Sequence, residues 1–431
     1  MQDVLRAEEE DEEEAEGEPP PPIEAPVDEV EPPAEEQDED EADAEPDPEE
    51  AAREAAVEAQ LAAAGVGSPP EAAPAHTPAD PRKVLAAMAA AGIAVTPEME
   101  EALLAEDEPE EAEEEPEEEP IPAPSPDPEG RALVEARIAA GQGLMHLDLS
   151  GVDLSEMDLS GQDLSYTMLG EAILVSTRLE GAVLHGANLV EARLSGAQLA
   201  RADLTDADLT GATAGGAGFQ GARLEATFLD GADLEGAVFT NATAHRASFI
   251  ASKLPRANLA GADFHQADLS DAVLDHVDAT AARFAEATLE NASAVSACFT
   301  RATMTGVRAE QLRATEASFR EVDAADSFWE KATLTRADFA KSNLARADFT
   351  EAVLIATLFD RCALEGARFD RAHAHAIKAQ KSNLMEASFE GCDLSFADLR
   401  GSNLCGAELW RANTTDAELE LADLRRTKLE R

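Results

Sequence analysis

Four histidines are spaced as candidate metal pairs: His245 and His265 lie at a spacing of 20, and His373 and His375 flank Ala374. A zinc ion takes about four ligands drawn from His, Cys and carboxylates. No Cys or carboxylate joins either pair at ligand spacing, so both read as surface histidines. The cysteines Cys298, Cys362, Cys392 and Cys405 contain no CxxC and are too few for a disulfide framework in a chain this long. Carboxylates recur in pairs such as Asp203 and Asp208, which acid/base catalysis could use. The same pairing runs through most of the chain, however, and marks no one place. There is no glycine-rich phosphate loop, nucleophile elbow or HExxH motif. The sequence thus offers no catalytic, cofactor-binding or metal-binding set, and the expectation is a protein that is not an enzyme. One constellation is left. Lys341, Arg361 and Lys381 are three bases at a spacing of 20, which could receive a carboxylate-rich segment, either of a partner or of the chain's own tail between Glu8 and Glu50.

The three bases belong to the second of two unlike parts. Of the 23 prolines, 22 lie from Pro19 to Pro128 and only Pro255 lies beyond. Residues 1–130 hold 45 Asp and Glu against four bases, a net charge of −41, while the remainder carries 45 against 29, or −16. No apolar run approaches the roughly 18–20 residues of a membrane span, and the N-terminus is acidic where a secretory signal would be basic and then apolar. A cytoplasmic protein is expected.

Runs such as Glu8–Glu14 and Glu111–Glu119, interleaved with prolines, cannot bury enough apolar surface to offset chain entropy. Residues 1–126 are therefore expected to form a disordered acidic tail. Weak helix is expected near 82–105, where Val84, Leu85, Met88, Leu103 and Leu104 sit among alanines and Pro97 interrupts. Residues 127–141 predict a second helix, with Asp127 as N-cap, Pro128 in the first turn and Gly141 as the stop. Its expected face is Leu133, Val134, Arg137 and Ile138, and it should cover the open N-terminal end of the repetitive part of the chain.

From Leu149 to Leu429 every fifth residue is central, giving 57 positions of which 33 are Leu, 12 Phe, one Met and one Trp. The ten exceptions are alanines such as Ala294, Ala314, Ala324 and Ala374, and Thr414. Two residues before each central one the chain is nearly always small, so a large inward side chain alternates with a small one. A period of five fits neither a helix nor a strand, and implies a coil that turns one corner per repeat.

The motif A(D/N)LXX, present as Ala202-Asp203-Leu204-Thr205-Asp206, Ala207-Asp208-Leu209-Thr210-Gly211 and Ala337-Asp338-Phe339-Ala340-Lys341, resembles the pentapeptide-repeat family over about two thirds of the chain. The resemblance implies an all-β solenoid, a right-handed quadrilateral β-helix with four repeats to a coil. Residues 142–431 would form it, in about 14 coils stacked at about 4.8 Å, preceded by the short capping helix and the long disordered acidic tail. Residues 20 apart would then stack on one wall. Phe299, Phe319, Phe339 and Phe359 would form one aromatic ladder, with Trp329, Phe349, Phe369 and Phe389 on the facing wall. The nearby alanines compensate the volume of the rings, and Cys362 and Cys392 fill small inward positions on opposite walls. Lys341, Arg361 and Lys381 would stand in one column, an arrangement of like charges that is unfavourable unless an anion offsets it.

A solenoid of this kind is expected to act as a non-enzymatic scaffold or adaptor that binds other proteins. The stretches from Gly130 to Leu174 and from Leu394 to Leu429 resemble the repeat portion of proteins encoded with bacterial type VI secretion systems, which implies an adaptor there. The alternative follows from a resemblance in type to the acidic pentapeptide proteins that protect DNA gyrase from fluoroquinolones, namely mimicry of DNA toward gyrase or another DNA-binding protein. Residues 131–290 carry 23 acids and 10 bases, or about one net charge per 3 Å against one per about 1.7 Å in duplex DNA. Residues 291–431 carry 22 against 19, so only the acidic first half could serve. A C-terminal helix of the gyrase-binding kind is not expected from this sequence. The expected partner is a protein and not nucleic acid. Self-association through an uncapped C-terminal coil stays open.

Overall fold

A repeat has up to five backbone N–H groups that need partners, and a five-residue period with Asp or Asn before the central residue can supply all of them. In the repeat from Gly186 to Val190, the amides of Gly186 and Leu189 donate to Thr205 O and Asp208 O of the following coil, at 2.9 and 2.6 Å. Asn188 donates back to Thr167 O at 3.0 Å, and Ala187 closes a tight turn on Leu184 O at 3.0 Å. The fifth amide, of Val190, is taken by the Asn188 side chain at 3.0 Å. That last bond explains the Asp or Asn of the motif: a carboxylate or amide oxygen reaches the amide two residues on, the Asx-turn geometry. It recurs from Asp148 with Ser150 to Asp423 with Arg425.

A computed structural model of the chain describes residues 128–428. The expected tail of 1–126, its weak helix near 82–105, and the Asp127 cap lie outside those residues. Within them, parallel bridges pair each outward residue with the one 20 further on, from Asp148 and Met168 to Glu408 and Lys428. Four repeats therefore make one turn. At every corner from His146 to Arg426 the residue before the inward one has a positive φ, near +60° whether or not it is glycine. With the closing i to i+3 bond this is a type II turn, whose second central position takes that conformation and whose first favours proline. Pro255 occupies that first position, followed by Arg256 at φ 59° and closed by Ala257 N to Leu254 O at 3.0 Å.

The central side chains and the small ones two before them are buried along almost the whole array. All thirteen central rings join in one unbroken chain of contacts from Phe219 to Phe389. Rings at a spacing of 20 stack nearly flat, as Phe319 does on Phe339 at 4.6 Å and 8°. Rings on facing walls meet edge to face, as Phe339 does with Phe349 at 6.1 Å and 83°. Both arrangements suit the quadrupole of the ring. The core opens toward the last described residues, where Thr414 is exposed and Leu424 is 44% exposed.

Helix α1, Pro128–Ala139, packs at the other end. It stops in a Schellman motif, with Gly141 at φ 64°, Gly141 N bonded to Ile138 O and Gln142 N to Arg137 O. Its inner face differs from the expected one. Leu133 is 44% exposed, and the contact runs through Gly130, Val134 and Ile138, at i, i+4 and i+8. Gly130 lies so near Val152 that a Cβ there would come within 2.5 Å of its methyl group. Arg131 adds hydrogen bonds to the carbonyls of Asp153 and Ser155. The lack of a side chain at Gly130 thus sets the rotation of the helix and turns Leu133 outward.

Candidate functional site

The corner amides of Lys341, Arg361 and Lys381 donate to the next coil, at Asp360 O, Gln380 O and Arg400 O, over 2.8, 2.9 and 3.0 Å. The backbone thereby fixes three exposed bases on successive coils at one corner. Behind them the wall is bonded shut. Ser342 Oγ and Cys362 Sγ donate to Phe319 O and Phe339 O at 2.7 and 2.9 Å, and Ser382 Oγ donates to Phe359 O. Burial pushes the Cys362 thiol up to about 12.

Some other charged columns pair opposite charges from coil to coil. Arg346 holds Asp326 through two bonds of 2.6 Å, and Glu351 lies between Lys331 at 3.9 Å and Arg371 at 2.9 Å. The acidic column Glu290, Glu310 and Glu330 contains its own guanidinium, since Arg308 contacts both Glu290 and Glu310. The basic corner is neutralised at one end only. Glu321 sits one coil before Lys341 and is shared between Arg301 at 3.0 Å and Lys341 at 3.8 Å. Its hydrogen bond from Arg301, and then the charge of Arg301, hold the Glu321 carboxyl below the usual range.

Arg361 and Lys381 form no ion pair among the described residues. The acids around them are already engaged. Asp338 binds Arg320 at 2.7 Å, Asp360 accepts the Gln380 amide at 2.9 Å, and Asp398 binds Arg400 and Gln380, each at 2.6 Å. Glu321 was not singled out in the sequence, although the same spacing of 20 that aligns the bases places it next to Lys341.

The remaining candidates do not converge. His245 and His265 meet edge to face at 6.0 Å, with His245 Nε2 at 3.0 Å from Asp263 and His265 Nδ1 at 2.9 Å from Ala285 O. His375 bonds Ser395 Oγ at 3.0 Å, and His373 pairs through its backbone with Asp393. Among the described residues no three His, Cys, Asp or Glu are placed to hold a metal ion. The repeated aspartates are engaged in turn closure. At Asp163 the Ser165 hydroxyl, then the Ser165 amide, holds the carboxyl below its ordinary range. An exposed aromatic cluster went unnoticed in the sequence. Tyr166 stacks on His146 at 5.3 Å, meets His185 edge-on at 5.2 Å, and covers Gly186, where a Cβ would come within 2.7 Å of the ring. A corner tyrosine followed at a spacing of 20 by glycine was the available signal. No described helix is long and apolar enough to cross a membrane.

Several solved structures are similar to this chain. HetL, a pentapeptide repeat protein involved in heterocyst differentiation regulation in the cyanobacterium Nostoc, is 24% identical over 68% of this chain and 95% of its own, with a TM-score of 0.18. Full-length QnrB1, a plasmid-mediated fluoroquinolone resistance protein, is 18% identical over 51% of this chain and 91% of its own, with a TM-score of 0.21. A pentapeptide repeat protein of the Arabidopsis thaliana thylakoid lumen is 28% identical over 34% of this chain and 78% of its own, with a TM-score of 0.15. No curated protein matches the sequence. The family model for pentapeptide repeats matches eight times, at 144–181, 177–213, 217–254, 245–278, 267–306, 315–350, 382–413 and 392–431. Those segments cover more than half of the chain and coincide with the bridged coils, so the protein belongs to the pentapeptide repeat family and its array is a right-handed β-helix.

Proposed function

We propose that the array is a non-enzymatic protein-binding scaffold whose corner at Lys341, Arg361 and Lys381 docks a carboxylate-rich segment of a partner protein. The observation that carries this reading is the unbalanced end of the column: Arg361 and Lys381 stand on successive coils without an ion pair among the described residues, while Asp338, Asp360 and Asp398 are hydrogen-bonded to other groups. An extended acidic segment lying along the corner would offset charges that repel at a spacing of about 4.8 Å.

On this reading residues 1–126 would be a tail, 127–141 a cap over the first coil, and 142–431 an array of about 14 coils. An adaptor role in a type VI secretion system rests on the sequence texture of the two array ends. Mimicry of DNA rests on the net −13 of residues 131–290. Association through the last coil rests on the exposure of Leu424. A cytoplasmic setting suits all of these.

A pull-down from the producing cell tests the docking corner, comparing the full chain with K341E/R361E/K381E. Acidic proteins that elute with salt from the native chain and are missing from the variant are the expected result. Identical retention by both would overturn the corner as the docking site.

A further inference from the structure

The exposed rings around Tyr166 form a surface apart from the Lys341 corner. Tyr166 is the only tyrosine of the chain. It is 50% exposed, between Met145 at 41% and Met168 at 56%. These three side chains fall within two successive coils, with His146 stacked on the Tyr166 ring and His185 edge-on to it. We propose that this patch docks a second kind of partner, an amphipathic helix of another protein whose apolar side chains cover Tyr166 and Met168 and whose lysines and arginines face the acids around them. The inference goes beyond the docking role of the basic corner and does not depend on it.

The patch is held in place before anything covers it. Tyr166 N donates to His185 O and Met168 N to Leu147 O, each at 2.9 Å, and the buried Thr167 between them donates its hydroxyl to Leu144 O at 3.2 Å. The ring lies over Gly186, where a Cβ would come within 2.7 Å of it. The backbone does not demand glycine there, since Ala226, two coils on in the same column, takes a φ of 54°. Glycine at 186 leaves room for the ring. A rigid aromatic side chain already in position loses little entropy when covered, and an exposed methionine beside it adapts to the shape of what covers it.

Charge selects the partner. From Gly141 to Thr177 there are six acids and no Lys or Arg. Asp148 is bridged to Met168 from the preceding coil, and Asp206 lies 3.9 Å from His185. The flanking bases are engaged. Arg137 donates to Gly143 O at 3.1 Å, and Arg178, half a coil on from Met168 and so on the opposite wall, pairs with Asp158 at 3.1 Å. An apolar centre rimmed by one sign of charge fits a ligand whose apolar stripe is flanked by the other sign. A helix presents such a stripe with apolar residues at i, i+3, i+4 and i+7 and bases between them. A two-fold contact with a second copy of this chain would instead set these acids against themselves.

The single tyrosine makes the test local. Fluorine NMR of the full chain produced with fluorotyrosine reads one resonance, that of Tyr166. The probe is a helical peptide of about 18 residues with leucines on one face and lysines on the other. At about 150 mM salt it should shift the resonance saturably, while a shuffled peptide of the same composition, with no apolar face, should not. Met168→Glu removes an apolar anchor and adds an acid, so it should weaken binding about ten-fold, where attraction between charges alone would strengthen it. Gly186→Ala should move the free resonance and weaken binding, because the added methyl displaces the ring. Circular dichroism of both variants should match that of the native chain. A resonance that the peptide does not move would overturn the patch as a docking site. Equal shifts by the two peptides, or tighter binding to Met168→Glu, would overturn the apolar contact. A resonance that moves with the concentration of the chain alone would show a second copy on the patch and overturn the proposed partner.

Discussion

The indole Nε1–H of Trp329 donates to Ser327 Oγ at 2.7 Å, and that hydroxyl in turn donates to Ala324 O at 2.6 Å. Trp329 is fully buried, with Phe319 and Phe339 edge-on at 5.3 and 5.5 Å. An indole donor inside an aromatic core needs a partner. The small inward position before it, alanine in most repeats, supplies one as serine.

Ser327→Ala should therefore destabilise the array by about 1–3 kcal/mol, the cost of leaving a buried donor unpaired. Alanine fits the position in most other repeats, so loss of volume contributes little. In a Trp329→Phe background, which has no indole donor, the same change should cost much less. Urea unfolding of the four proteins of this double-mutant cycle measures the difference, and equal costs in both backgrounds would refute the assignment.

A second prediction concerns the ring chain. Phe339 lies between Phe319 at 4.6 Å and Phe359 at 5.2 Å. Phe339→Asp would bury a charge between them and should cost several kcal/mol, about 4 or more. Leu189→Met, also in the core, preserves volume and should cost under about 1.5 kcal/mol. Similar melting of the two variants would show that the inward register is wrong.

Turn closure makes a prediction about pH. At Asp153 and Asp163 the following serine's hydroxyl, then its amide, holds the carboxyl below the usual range. A folded pKa below the unfolded one adds stability that is complete above the unfolded value, near 4, and is lost as pH falls through the folded value. Melting temperature should accordingly fall steeply below about pH 4. Asp163→Asn keeps the acceptor oxygen without a titrating group, and should flatten its share of that fall.

Thiol chemistry separates the cysteines. Burial pushes Cys362 up to about 12 and raises Cys392 as well. Burial opposes the thiolate of Cys298 too, but hydrogen bonds from Thr280 and Thr300 outweigh it and leave that thiol below its ordinary value. Iodoacetamide near pH 8 should modify half-buried Cys298 well before Cys362 or Cys392. Mass spectrometry of the digest reads the order, and prompt modification of Cys362 would contradict its burial.

The proposed boundary predicts that a fragment of residues 126–431 folds without the rest, since every described core residue and α1 lie within it. Its circular dichroism should show a cooperative β-type melt, and an unfolded fragment would remove the boundary.

The fold was legible because its signal is a period. The ladders through Phe339 and Phe349 follow from counting by 20 once four repeats are assigned to a coil. What escaped depended on a single partner in space. Leu133 was placed on the inner face by helical spacing, but the empty side of Gly130 turned the helix elsewhere. Ser327 looked like one more small residue, and only the position of the indole shows its use. Asp163 read as one of many paired carboxylates, whereas its bonds to the Ser165 amide and hydroxyl make it part of the turn. Glu321 was within reach of the same count of 20 that found the basic column, but that count was not extended from the bases to the acids that precede them.

The pairing of residues 20 apart also makes the surface a matter of phase. Removing one repeat between Glu321 and Lys341 would leave every inward side chain inward, because the small and central positions keep their order. All later outward residues would rotate by a quarter turn relative to the preceding ones, and the bases would leave the column of Glu321 and Arg301. Removing four repeats restores the alignment of the walls. The array thus tolerates changes of length in fives as a folded object, but only in twenties as a recognition surface, like a thread that still runs after being cut and rejoined although its markings no longer line up.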